Sequence, residues 1–213
     1  MGRGGSSMRG RDGGGGGGNM NPKNMIDIWS YRHTTGNEPF VDAINDGFKA
    51  LDTDFPGFMQ SVNAVNAADI REGTLGYWSP ADKQLVMNTK YTDIQTMNDT
   101  MDQAAREGFH PSRGNKTGTE AVAIHEAGHA LTDYIAQKTG APGLHAVSEM
   151  IVKDAYKASG TKGGVHKFAG AISGYARKNY AETVAEAVHD WYCNGNKAKS
   201  ASKAIIAELK KYS

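Results

Sequence analysis

Three residues near the middle of the chain have the types and spacing to hold and use a metal ion. They are His125, Glu126 and His129, in the segment His125-Glu126-Ala127-Gly128-His129. On an α-helix, residues four apart stand one turn above the other, so both imidazoles can reach one ion. Glu126 is offset by one position and lies beside the pair, where it can take a proton from a water without binding the metal. A structural metal site has no use for such a base, so the trio points to hydrolysis, with zinc as the ion. Chance could place two His and a Glu this way on a solvated helix face. A bounded, amphipathic helix around them argues against chance.

A catalytic zinc normally takes three protein ligands and keeps one position open. A third His in the pattern H-E-x-x-H-x-x-G-x-x-H is excluded, because Ala130, Leu131, Thr132, Asp133, Tyr134 and Ile135 follow His129. A Glu from a later helix is the alternative. Glu182 and Glu186 are one turn apart and share a face. One can bind the ion while the other accepts an N–H bond from a ligand His and so fixes its tautomer. His189 lies on that face as well, either as another ligand or as an ordinary packed histidine.

The elements that must position these groups are mostly helical. Ile124, Ala127, Leu131 and Ile135 recur at steps of three and four and form a core stripe on a helix over 120–137. Thr117 or Thr119 can cap it, and Gly140 and Pro142 stop it. Gly128 inside this helix costs about 1 kcal/mol relative to Ala, which close approach of another backbone would justify. Phe40, Val41, Ile44, Phe48 and Leu51 predict a helix over 38–51. Further helices are expected over 97–107, 144–159, 165–172, 180–192 and 199–212, with a strand within 61–67. Leu75, Tyr77 and Trp78, the turn-forming Ser79-Pro80-Ala81-Asp82, and Leu85 to Asn88 read as a hairpin.

The motif and the downstream segment together resemble gluzincin zinc metallopeptidases of the anthrax lethal factor type, domains that also occur in bacteriophage head-associated proteins. The pattern S-x-Y-x-x-x-N-x-x-E-x-x-A-E-A is matched by Ser173, Tyr175, Asn179, Glu182, Ala185, Glu186 and Ala187. Thr183 and Val184 stand where aromatics are frequent. The resemblance spans about 74–192, and the His125–Tyr134 segment is also similar to the active-site helix of thermolysin-like enzymes. It implies an α+β, mainly helical zincin-like domain with a small antiparallel sheet beside the active-site helix. Leu85–Asn88 would be the edge strand that pairs with an extended substrate. It further implies one zinc ion held by His125, His129 and Glu182, with Glu186 supporting a ligand His. Glu126 would act as general base and Tyr175 as oxyanion stabiliser in peptide-bond hydrolysis. The implied partners are a peptide or protein substrate and, in the phage setting, capsid or portal proteins. The implied location is the bacterial cytoplasm or the virion. The alternative is a head-assembly protein whose zinc domain serves docking or limited processing.

Bulk properties bound the rest. Cys193 is the only cysteine, which excludes an intramolecular disulfide and a Cys-based zinc site and suits a reducing compartment. A net charge of +1 gives no global pull toward nucleic acid or a membrane. The longest apolar stretch, 121–135, is interrupted by His and Glu, so no membrane span is expected. No apolar run follows the first arginines, so no secretory leader is expected. Residues 1–24 carry Arg3, Arg9, Arg11 and the run Gly13–Gly18. They are expected to form a disordered tail ahead of one domain over 25–213. With few basic residues and no interleaved aromatics, the tail is not expected to bind nucleic acid.

Overall fold

The computed structural model describes residues 23–213, an α+β chain that is mainly helical with one four-stranded sheet. The expected tail lies outside the described residues, apart from Lys23 and Asn24. These two begin the first strand.

Strand β1 (Lys23–Asp27) leads into a short helix α1 (Ile28–Arg32), and α2 spans Glu38–Asp52. The apolar positions read from the α2 sequence are all buried. The sheet continues with β2 (Ala64–Asp69), β3 (Gly76–Ser79) and β4 (Gln84–Asn88). Helices α3 (Ile94–Arg106), α4 (Gly118–Thr139), α5 (Leu144–Ser159), α6 (Val165–Gly170), α7 (Tyr180–Asn194) and α8 (Ser200–Leu209) follow. The helix expected over 199–212 ends at Leu209 and tightens into a single 3-10 turn.

The sheet differs from the expectation in two ways. Its order is β1-β2-β4-β3, and β2 pairs with β4 in parallel, so it is mixed rather than antiparallel. The β3–β4 hairpin forms as read, with Trp78 opposite Leu85. However, Leu85–Asn88 is not an edge: β4 is paired on both sides, and the edges are β1 and, beyond β4, β3. The physical reason is β2, which returns from α2 and takes the far side of β4. Leu85, Val86, Met87 and Asn88 are accordingly all buried, as a strand covered on both faces should be.

Helix α4 is the axis of the molecule and packs chiefly between α2 and α7. It is buried on nearly every face, not along one stripe. Small residues allow this on both sides. A Cβ on Gly47 of α2 would lie 2.8 Å from Ala123 Cβ and 2.9 Å from the Glu120 carbonyl oxygen. On the opposite side, a Cβ on Gly128 would lie 2.9 Å from Ala185 Cα of α7. The Gly128 cost in helix propensity is therefore the condition for seating α7 against α4. Thr117 is the N-cap, and its hydroxyl and the Glu120 carboxylate bond each other's backbone N–H in a capping box. Gly140 closes the helix at φ 71°, a left-handed conformation that glycine adopts without strain.

Candidate metal centre

The α4–α7 contact brings the sequence-predicted residues to one place. Asn179 caps α7, its side chain accepting the Glu182 N–H at 2.9 Å. The spacing N-x-x-E is thus a helix start that puts Glu182 in the first turn, facing α4. Thr183, which departs from the family pattern, donates its hydroxyl to the Ala176 carbonyl at 2.7 Å and ties α7 to the turn before it.

Glu182 Oε2 lies 3.2 Å from His125 Nε2 and 3.3 Å from His129 Nε2. Neither approach is aligned as a hydrogen bond, which leaves His129 Nε2 and Glu182 Oε2 buried without one among the described residues. Buried polar atoms are rarely left so. The spacing has a simple reading. Two ligand atoms each about 2.05 Å from a tetrahedral ion lie about 3.3 Å apart. The three donors converge within 4.8 Å of one another, and two nitrogens with one carboxylate oxygen make a donor set that zinc favours. The residues therefore fit a metal ion.

The charges around this point are strongly coupled. Burial alone would make His125 easier to deprotonate, but Glu182 and Glu186 outweigh it and hold its pKa well above 6.5. Burial would raise Glu182 too, yet His129 and His125 bring it down to about 2. Glu126 is buried at the same place, and burial with the nearby Glu182 keeps its pKa above 4.5 despite the two histidines. The Trp78 backbone lies close enough to the Glu126 carboxylate to favour its charged form, which brings β3 to the centre. The Trp78 indole donates to Asp133 of α4 at 3.2 Å, and Lys83 pairs with the same carboxylate at 2.7 Å. These bonds clamp the edge strand onto the helix that carries the histidines.

Tyr175 stands over the cluster, its hydroxyl donating to Glu182 Oε1 at 3.3 Å. Burial and three surrounding carboxylates raise its pKa, so the phenol keeps its proton. Lys178 donates to the Tyr175 hydroxyl at 3.3 Å and lies 3.9 Å from Glu182 Oε1. Glu186 is behind His125, with Oε1 2.8 Å from His125 Nδ1, although the ring N–H is off the line to that oxygen.

His189 is buried beside Glu186, and neither ring nitrogen has a hydrogen bond among the described residues. Burial is the main cause that lowers its pKa to about 3; Glu186 opposes the shift, while His110 and His125 add to it. Its group with His125 and Glu186 could also hold an ion. Occupying both groups would demand both ring nitrogens of His125, whereas a metal-bound His normally keeps its other N–H for an acceptor. The two groups are therefore alternatives, and the His125–His129–Glu182 group is the one that Glu126 adjoins. Sequence reading missed His110 altogether. It sits in the loop before α4, where no periodicity marks it, and only the tertiary fold carries its Nδ1 to 2.9 Å from Glu186 Oε1. Four of the chain's seven histidines thus converge: His110, His125, His129 and His189.

Comparison with protein-family models and with curated proteins returns no match for this chain. No helix among the described residues is long and apolar enough to cross a membrane.

Proposed function

We propose that the protein is a zinc-dependent peptidase of zincin-like, Glu-ligand type. The observation that carries this reading is the convergence of His125 Nε2, His129 Nε2 and Glu182 Oε2 beside a buried carboxylate, Glu126, that is not part of the donor set. Zinc held there would supply Lewis acidity to a water and to a substrate carbonyl.

The chain's own groups supply the proton chemistry. Glu126, with a raised pKa, takes a proton on its carboxylate from the attacking water and returns it to the leaving amine. Tyr175 keeps its hydroxyl proton and can donate it in a hydrogen bond to the oxygen on which negative charge develops. Lys178 adds a positive charge beside that hydroxyl. An extended peptide along the free edge of β3 would pass Glu126, because β3 is the strand whose Trp78 backbone lies beside that carboxylate. Phage capsid or portal proteins as substrates belong to the same proposal.

Metal analysis with a peptide-library cleavage assay tests it. One zinc per chain is expected. Glu126→Gln should keep the zinc and lower hydrolysis by about 10²–10⁴-fold. Equal cleavage by Glu126→Gln and the parent would end the peptidase reading. Zinc uptake with no cleavage of any library peptide would favour docking or assembly instead.

A further inference from the structure

The loop between α3 and α4 delivers a side chain that the proposed reaction does not use. His110 Nδ1 lies 2.9 Å from Glu186 Oε1, the oxygen that also faces His125 Nδ1 at 2.8 Å. Ser173 Oγ donates to the other oxygen of Glu186 at 2.6 Å. Glu186 is fully buried, so its carboxylate answers to these three groups and to His189 beside it, and not to water.

The loop is itself anchored. The Gly108 carbonyl accepts the Gly174 N–H at 2.8 Å, and the Phe109 carbonyl accepts the Tyr175 N–H at 3.0 Å. The His110 ring packs on Tyr175 with centroids 5.1 Å apart. His110 therefore reaches Glu186 from backbone that is fixed to the segment carrying Ser173 and Tyr175.

We propose that His110 is a positioning residue of the metal centre. Its Nδ1–H and the Ser173 hydroxyl hold the Glu186 carboxylate in place behind His125. That placement favours the His125 tautomer with its proton on Nδ1 and its lone pair on Nε2, toward Glu182 and His129. The inference rests on the metal reading above. The chemistry is an exclusion: a neutral imidazole has one N–H and one lone pair. A ligand nitrogen needs the lone pair, so the proton must sit on the far nitrogen, opposite a fixed acceptor. A Glu186 carboxylate released from His110 can turn, and the acceptor is then no longer held where His125 needs it.

The competing role is packing of the His110 ring against Phe109 and Tyr175, and two substitutions separate the roles. His110→Phe keeps a ring and removes the N–H. His110→Asn keeps an N–H donor near the Nδ1 position and removes the ring. Zinc affinity, read by competition with a chromophoric chelator, should fall about 10–100-fold in His110→Phe and stay within a few-fold of the parent in His110→Asn. The reverse order overturns the proposal. A reading that needs no variant, and so survives any failure of His110→Phe to fold, is the imidazole ¹H–¹⁵N spectrum of the zinc-loaded parent. His110 and His125 should both carry their proton on Nδ1, and His110 protonated on Nε2 alone overturns the proposal. A parent that takes up no zinc overturns the metal reading itself, which distinguishes that failure from this one.

Discussion

His125 lies between two carboxylates, Glu182 at its Nε2 and Glu186 at its Nδ1. Zinc-free protein should reveal that pairing through its pH dependence. The pKa of His125 is held well above 6.5, so its contribution to stability is fully present below pH 6.5 and is lost as pH rises through the raised value. Glu182 and Glu186 are depressed from 4.5, so their contribution is present above pH 4.5 and is lost as pH falls through their lowered values. Both contributions overlap between pH 4.5 and 6.5. His189, whose pKa is lowered to about 3, opposes folding on the acid side, because below pH 6.5 the unfolded chain takes up a proton that the folded chain excludes. Thermal unfolding of zinc-free protein should therefore show its highest midpoint at the upper end of that window, near pH 6.5, and lower ones on either side. Zinc must displace the His125 proton, so its affinity should climb as pH rises above 6.5, by about tenfold per pH unit for as long as that proton is held, one proton leaving per ion. A flat affinity over that range would remove His125 from the donor set.

Among the elements, the α4–α7 pair decides whether the donors meet at all. A Gly128→Ala methyl would meet Ala185 Cα at 2.9 Å, a backbone atom that moves only if the helices part. Alanine gains about 1 kcal/mol of helix propensity, while overpacking costs about 1–3 kcal/mol. The expected balance in urea unfolding is a loss of up to about 2 kcal/mol, accompanied by weaker zinc binding as Glu182 is carried away from His125 and His129. A stabilised Gly128→Ala protein that binds zinc normally would refute the close-packing account. Helix α4 was legible in the sequence because its cap, stop and histidine spacing are all local. The face of Glu182 and Glu186 was legible for the same reason, since two carboxylates one turn apart need no distant partner, whereas Asn179 was read only as part of the family pattern and its capping of α7 comes from the fold. The parallel pairing of β2 with β4 was not legible. Ala64 meets Gln84 across an intervening strand, and no local alternation encodes that register. Strand β1 was hidden too, because Lys23-Asn24-Met25-Ile26-Asp27 has little apolar pattern and owes its form to pairing with β2. His110 was hidden by its loop, which is held to Gly174 and Tyr175 by backbone bonds that only the folded chain makes.

At the scale of the whole molecule, the candidate donors staple the chain's central helix to a helix more than forty residues further on. Ligand binding to the folded state alone stabilises it by RT ln(1 + [L]/Kd), about 2.7 kcal/mol at a hundred times Kd. For a domain of this size each kcal/mol moves the melting midpoint by about 2–4 °C. Saturating zinc should therefore raise the midpoint of chelator-treated protein by about 5–10 °C, and a strong chelator should reverse the rise. The pattern across variants is more telling than the rise itself. His129→Ala and Glu182→Ala each remove a donor from one of the two stapled helices, so both should lose most of the shift. Glu126→Gln leaves all three donors in place and should keep it. A zinc-induced shift that survives His129→Ala and Glu182→Ala would mean that the ion stabilises the fold from elsewhere, and that the close approach of α4 and α7 serves packing alone.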